Sequence, residues 1–179
     1  MQWLPLLLAC GTKAPPVDGG EATAIPPVQV EPAASIDPTM EWIGRGGSAE
    51  GFAMYRAFSV RDPQPDCAEV EALAPVPTTG LLEVVQLGVM PPWAAMRAAS
   101  CLVSGHADQV PDTLAAWVAD PQAKGLALLV LDQIDDLPEP LALQIAAQAL
   151  AGPHAAEAPA RLSRSTRTAV AALAAGATP

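Results

Sequence analysis

The run Pro111-Asp-Thr-Leu-Ala-Ala-Trp-Val-Ala-Asp120-Pro121-Gln-Ala-Lys-Gly-Leu-Ala-Leu-Leu-Val-Leu-Asp132 decides the fold. Pro111 has the fixed φ and missing N–H that a first helical turn tolerates. Leu114, Trp117 and Val118 follow it at helical spacing, and Asp120-Pro121 turns the chain. Across residues 122–134, Ala123, Leu126, Ala127, Val130, Leu131 and Ile134 fall at i, i+3, i+4, i+7, i+8 and i+11. Leu128 and Leu129 make this segment apolar nearly all round, which predicts a helix buried from several sides. A buried strand competes over 126–131, but Leu and Ala stand where Val and Ile would be expected, so helix is favoured. Two helices joined by so short a turn lie antiparallel.

Similar signals extend in both directions. Upstream, Ser48 can cap a helix carrying Phe52, Tyr55 and Phe58, and Asp66 can cap another running from Cys67 through Val70 to Leu73. Pro75 and Pro77 are expected to break it. Leu82, Val85 and Val89 form an i, i+3, i+7 stripe. Pro92 opens a helix over Trp93–Val103 whose face is Ala95, Ala98, Ala99 and Leu102, with Arg97, Ser100 and Ser104 opposite and Gly105 ending it. Downstream, Pro138 and Pro140 precede a helix over Leu141–Leu150, closed by Gly152-Pro153. Thr166, Ala169, Val170 and Leu173 form a last stripe. Half of the 179 residues are apolar but only 4% are aromatic. The excess is mostly Ala and Leu, which have high helix propensities. An all-α fold is expected.

Three segments look alike: Met96-Arg-Ala-Ala-Ser-Cys-Leu102, Ala123-Lys-Gly-Leu-Ala-Leu-Leu129 and Thr166-Arg-Thr-Ala-Val-Ala-Ala172. Each sets a basic residue before an Ala/Leu face, at intervals of 27 and then 43 residues. With the Asp-Pro turn before the second, residues 79–176 resemble HEAT repeats. The resemblance implies a short right-handed α-solenoid of antiparallel helix pairs, two and a half to three in number. It further implies that the polar side of the second helices, Arg97, Ser100 and Lys124, is a partner-binding face. About three repeats are needed for nearest-neighbour stacking to stabilise such an array.

The amino terminus carries a different message. Met1-Gln-Trp-Leu-Pro-Leu-Leu-Leu-Ala-Cys10 is an apolar stretch ending at a small residue and a cysteine, the outline of a secretory h-region and cleavage site. Leu7-Leu8-Ala9-Cys10 resembles the lipobox of bacterial lipoproteins. In that family the cysteine is acylated, the chain is cut before it, and the new amino group is acylated too. Multiple acyl chains hold firmly where one holds only marginally. Nine residues is short for a signal peptide and no Lys or Arg precedes them; a start further upstream would account for both. Gly11, in place of Asp, implies outer-membrane sorting, with the protein facing the periplasm or the cell surface. Pro15, Pro16, Pro26, Pro27, Pro32 and Pro38 mark a disordered Pro-rich linker, which in full polyproline II would reach about 90 Å. The expected organisation is a signal peptide at 1–9, a lipidated Cys10 with its linker at 10–47, and a helical repeat domain at 48–179.

Once Cys10 is assigned to lipid, Cys67 and Cys101 remain as an even pair in a compartment where disulfides persist. A bridge is favoured over two buried thiols. A net charge of −10 disfavours nucleic acid, which calls for a basic stripe. His106 and His154 both sit in Gly-containing turns without a second ligand at zinc spacing, so neither a metal site nor a catalytic role is expected of them. Gly44-Arg-Gly-Gly47 lacks the spacing of a phosphate loop. Asp132, Asp135, Asp136 and Glu139 read as an acidic solvated turn rather than a Ca²⁺ site. Arg161, Arg164 and Arg167 read as a solvated basic run rather than a docking patch for an acidic partner. No cofactor is expected. The function expected is that of a membrane-anchored, non-catalytic module binding another envelope protein. The alternatives are an enzyme, such as a lyase built on HEAT-like repeats, and a lipoprotein that merely spaces the membrane from another layer.

Overall fold

Caps and prolines set the helix boundaries of this protein. Its computed structural model describes residues 37–88 and 90–177. They form α1 (Pro38–Gly44), α2 (Ala49–Ser59), α3 (Cys67–Glu71), α4 (Pro77–Leu87), α5 (Pro92–His106), α6 (Pro111–Ala119), α7 (Lys124–Asp132), α8 (Glu139–Ala151), α9 (Ala158–Leu162) and α10 (Thr168–Gly176), with one 3-10 turn at Ile134–Asp136. Among the described residues there is no strand, and no helix is long and apolar enough to cross a membrane. Cys10, the signal-like stretch before it, the linker up to residue 36 and Val89 lie outside the described residues.

Six helices have proline in their first two positions: α1, α4, α5, α6, α8 and α9. There its missing N–H is one of the four that a helix start leaves unpaired anyway. The side-chain caps sit elsewhere. Ser48 Oγ accepts from Gly51 N at 2.9 Å. Asp66 and Glu69 form a reciprocal capping box at α3, with Asp66 Oδ1 accepting from Glu69 N at 2.7 Å and Glu69 Oε2 from Asp66 N at 3.2 Å.

Each helix buries one stripe. Leu114 and Val118 of α6 meet Ala127, Val130 and Leu131 of α7 within one core, which continues through Leu141, Ile145 and Ala149 of α8. Consecutive helices pack as neighbours: α4 on α5, α6 on α7, α8 on α9, α9 on α10. Contacts also skip one helix: α5 meets α7 and α7 meets α9, while α6 meets α8 and α8 meets α10. At the amino-terminal side α2 covers both α4 and α5.

Several boundaries differ from those read in the sequence. The helical unit does not wait for residue 48, because α1 occupies 38–44, inside the expected linker. Asp37 Oδ1 caps it from Thr39 N at 2.9 Å, Pro38 opens it, and Trp42 is buried. Trp42 stacks on Tyr55 with ring centroids 5.0 Å apart and tilts against Phe52 at 5.8 Å. The glycine run is what lets it lie down: Gly46 has φ +90°, and a Cβ on Gly47 would fall 2.0 Å from Trp42 Nε1. Pro77 starts α4 instead of ending α3. The buried stripe of α4 is Leu81 and Val84, one position before Leu82 and Val85, which are half-buried. With apolar residues at 81, 82, 84 and 85, either register satisfies helical periodicity, and packing against Met54 and Phe58 of α2 selects the first. Helix α5 runs through Gly105 to His106. In α10 the buried pair is Val170 and Ala174, leaving Leu173 on the surface.

Candidate functional site

The stretch from Val60 to Asp66, bent at Asp62-Pro63, carries the chain from the end of α2 to α3, and the Cys67–Cys101 disulfide fastens α3 to α5. One turn before Cys101, Arg97 projects from the same helix. Its Nη1 donates to Phe58 O at 2.9 Å and to Val60 O at 2.5 Å. These carbonyls close α2, where the helix leaves its acceptors unpaired and its dipole is negative. Between these elements lies a cavity of about 420 Å³ floored by Phe58 and rimmed by Trp93 and Met96. Trp93 is 40% exposed there.

The expected partner-binding residues are not equivalent. Arg97 and Ser100 both line this groove, together with both cysteines of the bridge, yet each polar group already has an internal partner. Ser100 Oγ accepts from Gln133 Nε2 at 2.6 Å. Lys124 does not line the groove; it stands at the first position of α7 and pairs with the Glu157 carboxylate. That ammonium group, by its hydrogen bond, holds the Glu157 carboxyl below its ordinary pKa. The groove's open contact surface is instead apolar, on Trp93 and Met96, which no charge motif flags.

Neither histidine is the surface turn residue expected: His154 keeps its turn but not its exposure, and His106 lies within a helix. His154 is buried, with Nε2 3.0 Å from the carbonyl oxygen of Asp120 at the end of α6. His106 is the last residue of α5. Its Nε2 lies 3.1 Å from Glu71 Oε1, and its Nδ1 lies 3.3 Å from Gln109 Nε2. Glu71 stands one turn after Cys67 on α3, and its carboxylate and the two sulfurs lie within 4.8 Å of one another.

The acidic turn and the basic run are joined in part, while Asp132, Asp136, Glu139 and Arg164 remain exposed as expected of solvated groups. Arg161 pairs with Asp132. Arg167 Nη2 donates to Asp135 O at 2.7 Å and to the Leu137 carbonyl. The Asp135 carboxylate accepts from the Ser165 hydroxyl, from Thr166 N at 2.8 Å and from Thr166 Oγ1 at 2.7 Å. The Ser165 hydroxyl, then the Thr166 N–H, hold its carboxyl below the usual carboxylate range.

A pattern joins these contacts. Arg45 donates to Leu87 O, Arg97 to Phe58 O, Gln148 to Ala115 O and Arg167 to Leu137 O, while His154 Nε2 meets Asp120 O. In each case a polar side chain reaches a backbone carbonyl of another element, at a helix end for Leu87, Phe58 and Asp120. No family model, curated protein or solved structure matches this chain.

Proposed function

We propose that this chain is a lipid-anchored envelope lipoprotein whose helical unit binds another protein and performs no catalysis. The anchor rests on Leu7-Leu8-Ala9-Cys10, read from sequence. The observation carrying the binding role is the groove between α2, α3 and α5. An indole left 40% exposed beside Met96 over an apolar floor has the make-up of an interface hot spot, where Trp anchors are enriched. Arg97 and the disulfide hold its walls, and Trp93 and Met96 make the contact.

We further read the helices as a HEAT-like right-handed α-solenoid. Two kinds of observation support this. Helices pack on the next helix and on the next but one, as stacked pairs must. Hydrogen bonds from α5 onward also join residues about one helix pair apart: Ser100 with Gln133, Ala115 with Gln148, and Asp120 with His154 are separated by 33, 33 and 34 residues.

The test joins the two halves of the reading. Cys10→Ala should leave the membrane fraction and lose the mass of its acyl chains; a variant that still sediments with membranes without added mass overturns the anchor. A photo-crosslinking residue at position 93 should join one discrete partner in intact cells, whereas the same residue at exposed Arg164 should not. Equal, unspecific labelling from both positions overturns the binding role.

A further inference from the structure

Two helices joined by the disulfide carry four metal-capable side chains: Cys67 and Glu71, one turn apart on α3, and Cys101 and His106, five residues apart on α5. Three of the four already converge, since the two sulfurs and the Glu71 carboxylate fall within 4.8 Å of one another. The fourth adjoins that carboxylate, with His106 Nε2 3.1 Å from Glu71 Oε1. That nitrogen is buried yet makes no aligned hydrogen bond. A buried ring nitrogen without such a partner is costly, and it lies against a carboxylate beside two sulfurs.

We propose that, when the Cys67–Cys101 bridge is reduced, these four side chains form a binding site for a thiophilic divalent metal of the zinc class. Cysteine, histidine and carboxylate are zinc's usual donors, and four of them complete its tetrahedral shell. Thiolate and imidazole together select zinc over magnesium or calcium. Zinc–sulfur bonds of about 2.3 Å in a tetrahedron require sulfurs about 3.8 Å apart. The two Cα atoms stand 5.6 Å apart, so side-chain rotation alone allows that separation.

The surroundings of His106 suit a ligand. Gln109 bridges Thr78 Oγ1, at 2.7 Å from its Oε1, and His106 Nδ1, at 3.3 Å from its Nε2. Turning that amide over lets its oxygen accept from Nδ1–H while its NH₂ donates to Thr78 Oγ1. The Nε2 lone pair is then free, and Gln109 orients the ring as an outer partner does in histidine metal sites.

The chemistry balances. A dithiol reductant attacks the bridge through the groove that both cysteines line. The Cys67–Cys101 bond breaks, two electrons and two protons pass to this pair, and the reductant becomes a disulfide. The metal then displaces the two thiol protons to solvent. Bridge and metal therefore exclude one another. The proposal does not depend on where the chain is anchored.

The test uses the full chain with Cys10→Ser, which removes the third thiol, titrated with Co²⁺ and then Zn²⁺ before and after reduction by a dithiol. The reduced protein should bind one Co²⁺ per chain with thiolate-to-cobalt charge-transfer and tetrahedral d–d bands that Zn²⁺ abolishes, and the oxidised protein should show none. Glu71→Gln and His106→Gln should each weaken binding about ten-fold or more, and Cys101→Ser should abolish the charge-transfer bands. If reduction melts the helical circular dichroism, restoration by Zn²⁺ supports the site. A reduced chain giving no thiolate–cobalt band, folded or not, overturns it, as does full affinity in both Glu71→Gln and His106→Gln.

Discussion

Arg97 holds the end of α2 by donating its Nη1 to Phe58 O at 2.9 Å, across 39 residues of sequence. A hydrogen bond from a charged donor contributes about 1.5–3 kcal/mol, and the contact is only partly buried, so the lower part of that range applies. Arg97→Ala should therefore lower the unfolding free energy by about 1.5–2 kcal/mol in urea, whereas a residue reserved for a partner would leave it unchanged. Arg97→Lys should recover only part, because an ammonium group lacks the planar fork of the guanidinium.

The Cys67–Cys101 bond fastens a five-residue helix to the fifteen-residue α5. Closing a loop across a separation of 34 residues is worth about 3–4 kcal/mol in the chain-entropy model. The double variant Cys67→Ser, Cys101→Ser should unfold at a correspondingly lower urea concentration. Hydrogen exchange should show α3 opening first, with α8 and α10 unaffected. A midpoint equal to that of the oxidised wild type would contradict this.

Gly47→Ala is expected to destabilise by about 1–3 kcal/mol, the usual cost of forcing atoms into filled space. The new Cβ would sit 2.0 Å from Trp42 Nε1, so the indole must leave its stack on Tyr55. Loss of the near-ultraviolet circular dichroism of that pair should accompany the fall in melting temperature. Gly44→Ala has open space around its Cβ and serves as the control.

Asp135 gives a pH dependence of defined sign. Its folded pKa is depressed, first by the Ser165 hydroxyl and then by the Thr166 N–H. The stabilisation is present at neutral pH and is lost as pH falls through that lowered value. Asp135→Asn should be less stable than wild type at pH 7 by about 1 kcal/mol, given its partial exposure. The gap should close on acidification; a gap constant down to the acid end would exclude the carboxylate as its source.

Much of the helix layout was legible because its signals are local. Ser48 and Asp66 cap where their side chains suggest, Pro92 and Pro111 open α5 and α6, and Asp120 makes the turn before α7, accepting from Gln122 N at 2.8 Å. Helix α1 was missed because Pro-rich composition outweighed a real start signal, Asp37 at the cap and Pro38 after it. The groove was half legible. Arg97, Ser100 and the cysteines could be singled out by type, but their partners lie 30 residues or more away in sequence. Nothing near Arg97 announces Phe58 O, and nothing near His154 announces Asp120 O. Alanine-rich faces add little, since they fit many registers equally well.

Side chains that grip carbonyls of another helix also bear on how the molecule can come apart. Removing α8 takes Gln148 from Ala115 O, and removing the segment after it takes His154 from Asp120 O and Arg167 from Leu137 O. Each loss removes a hydrogen bond that ties two elements together. Shortening the chain from its carboxyl end should thus cost more than the missing core alone, and the stack should melt together instead of peeling away one helix at a time.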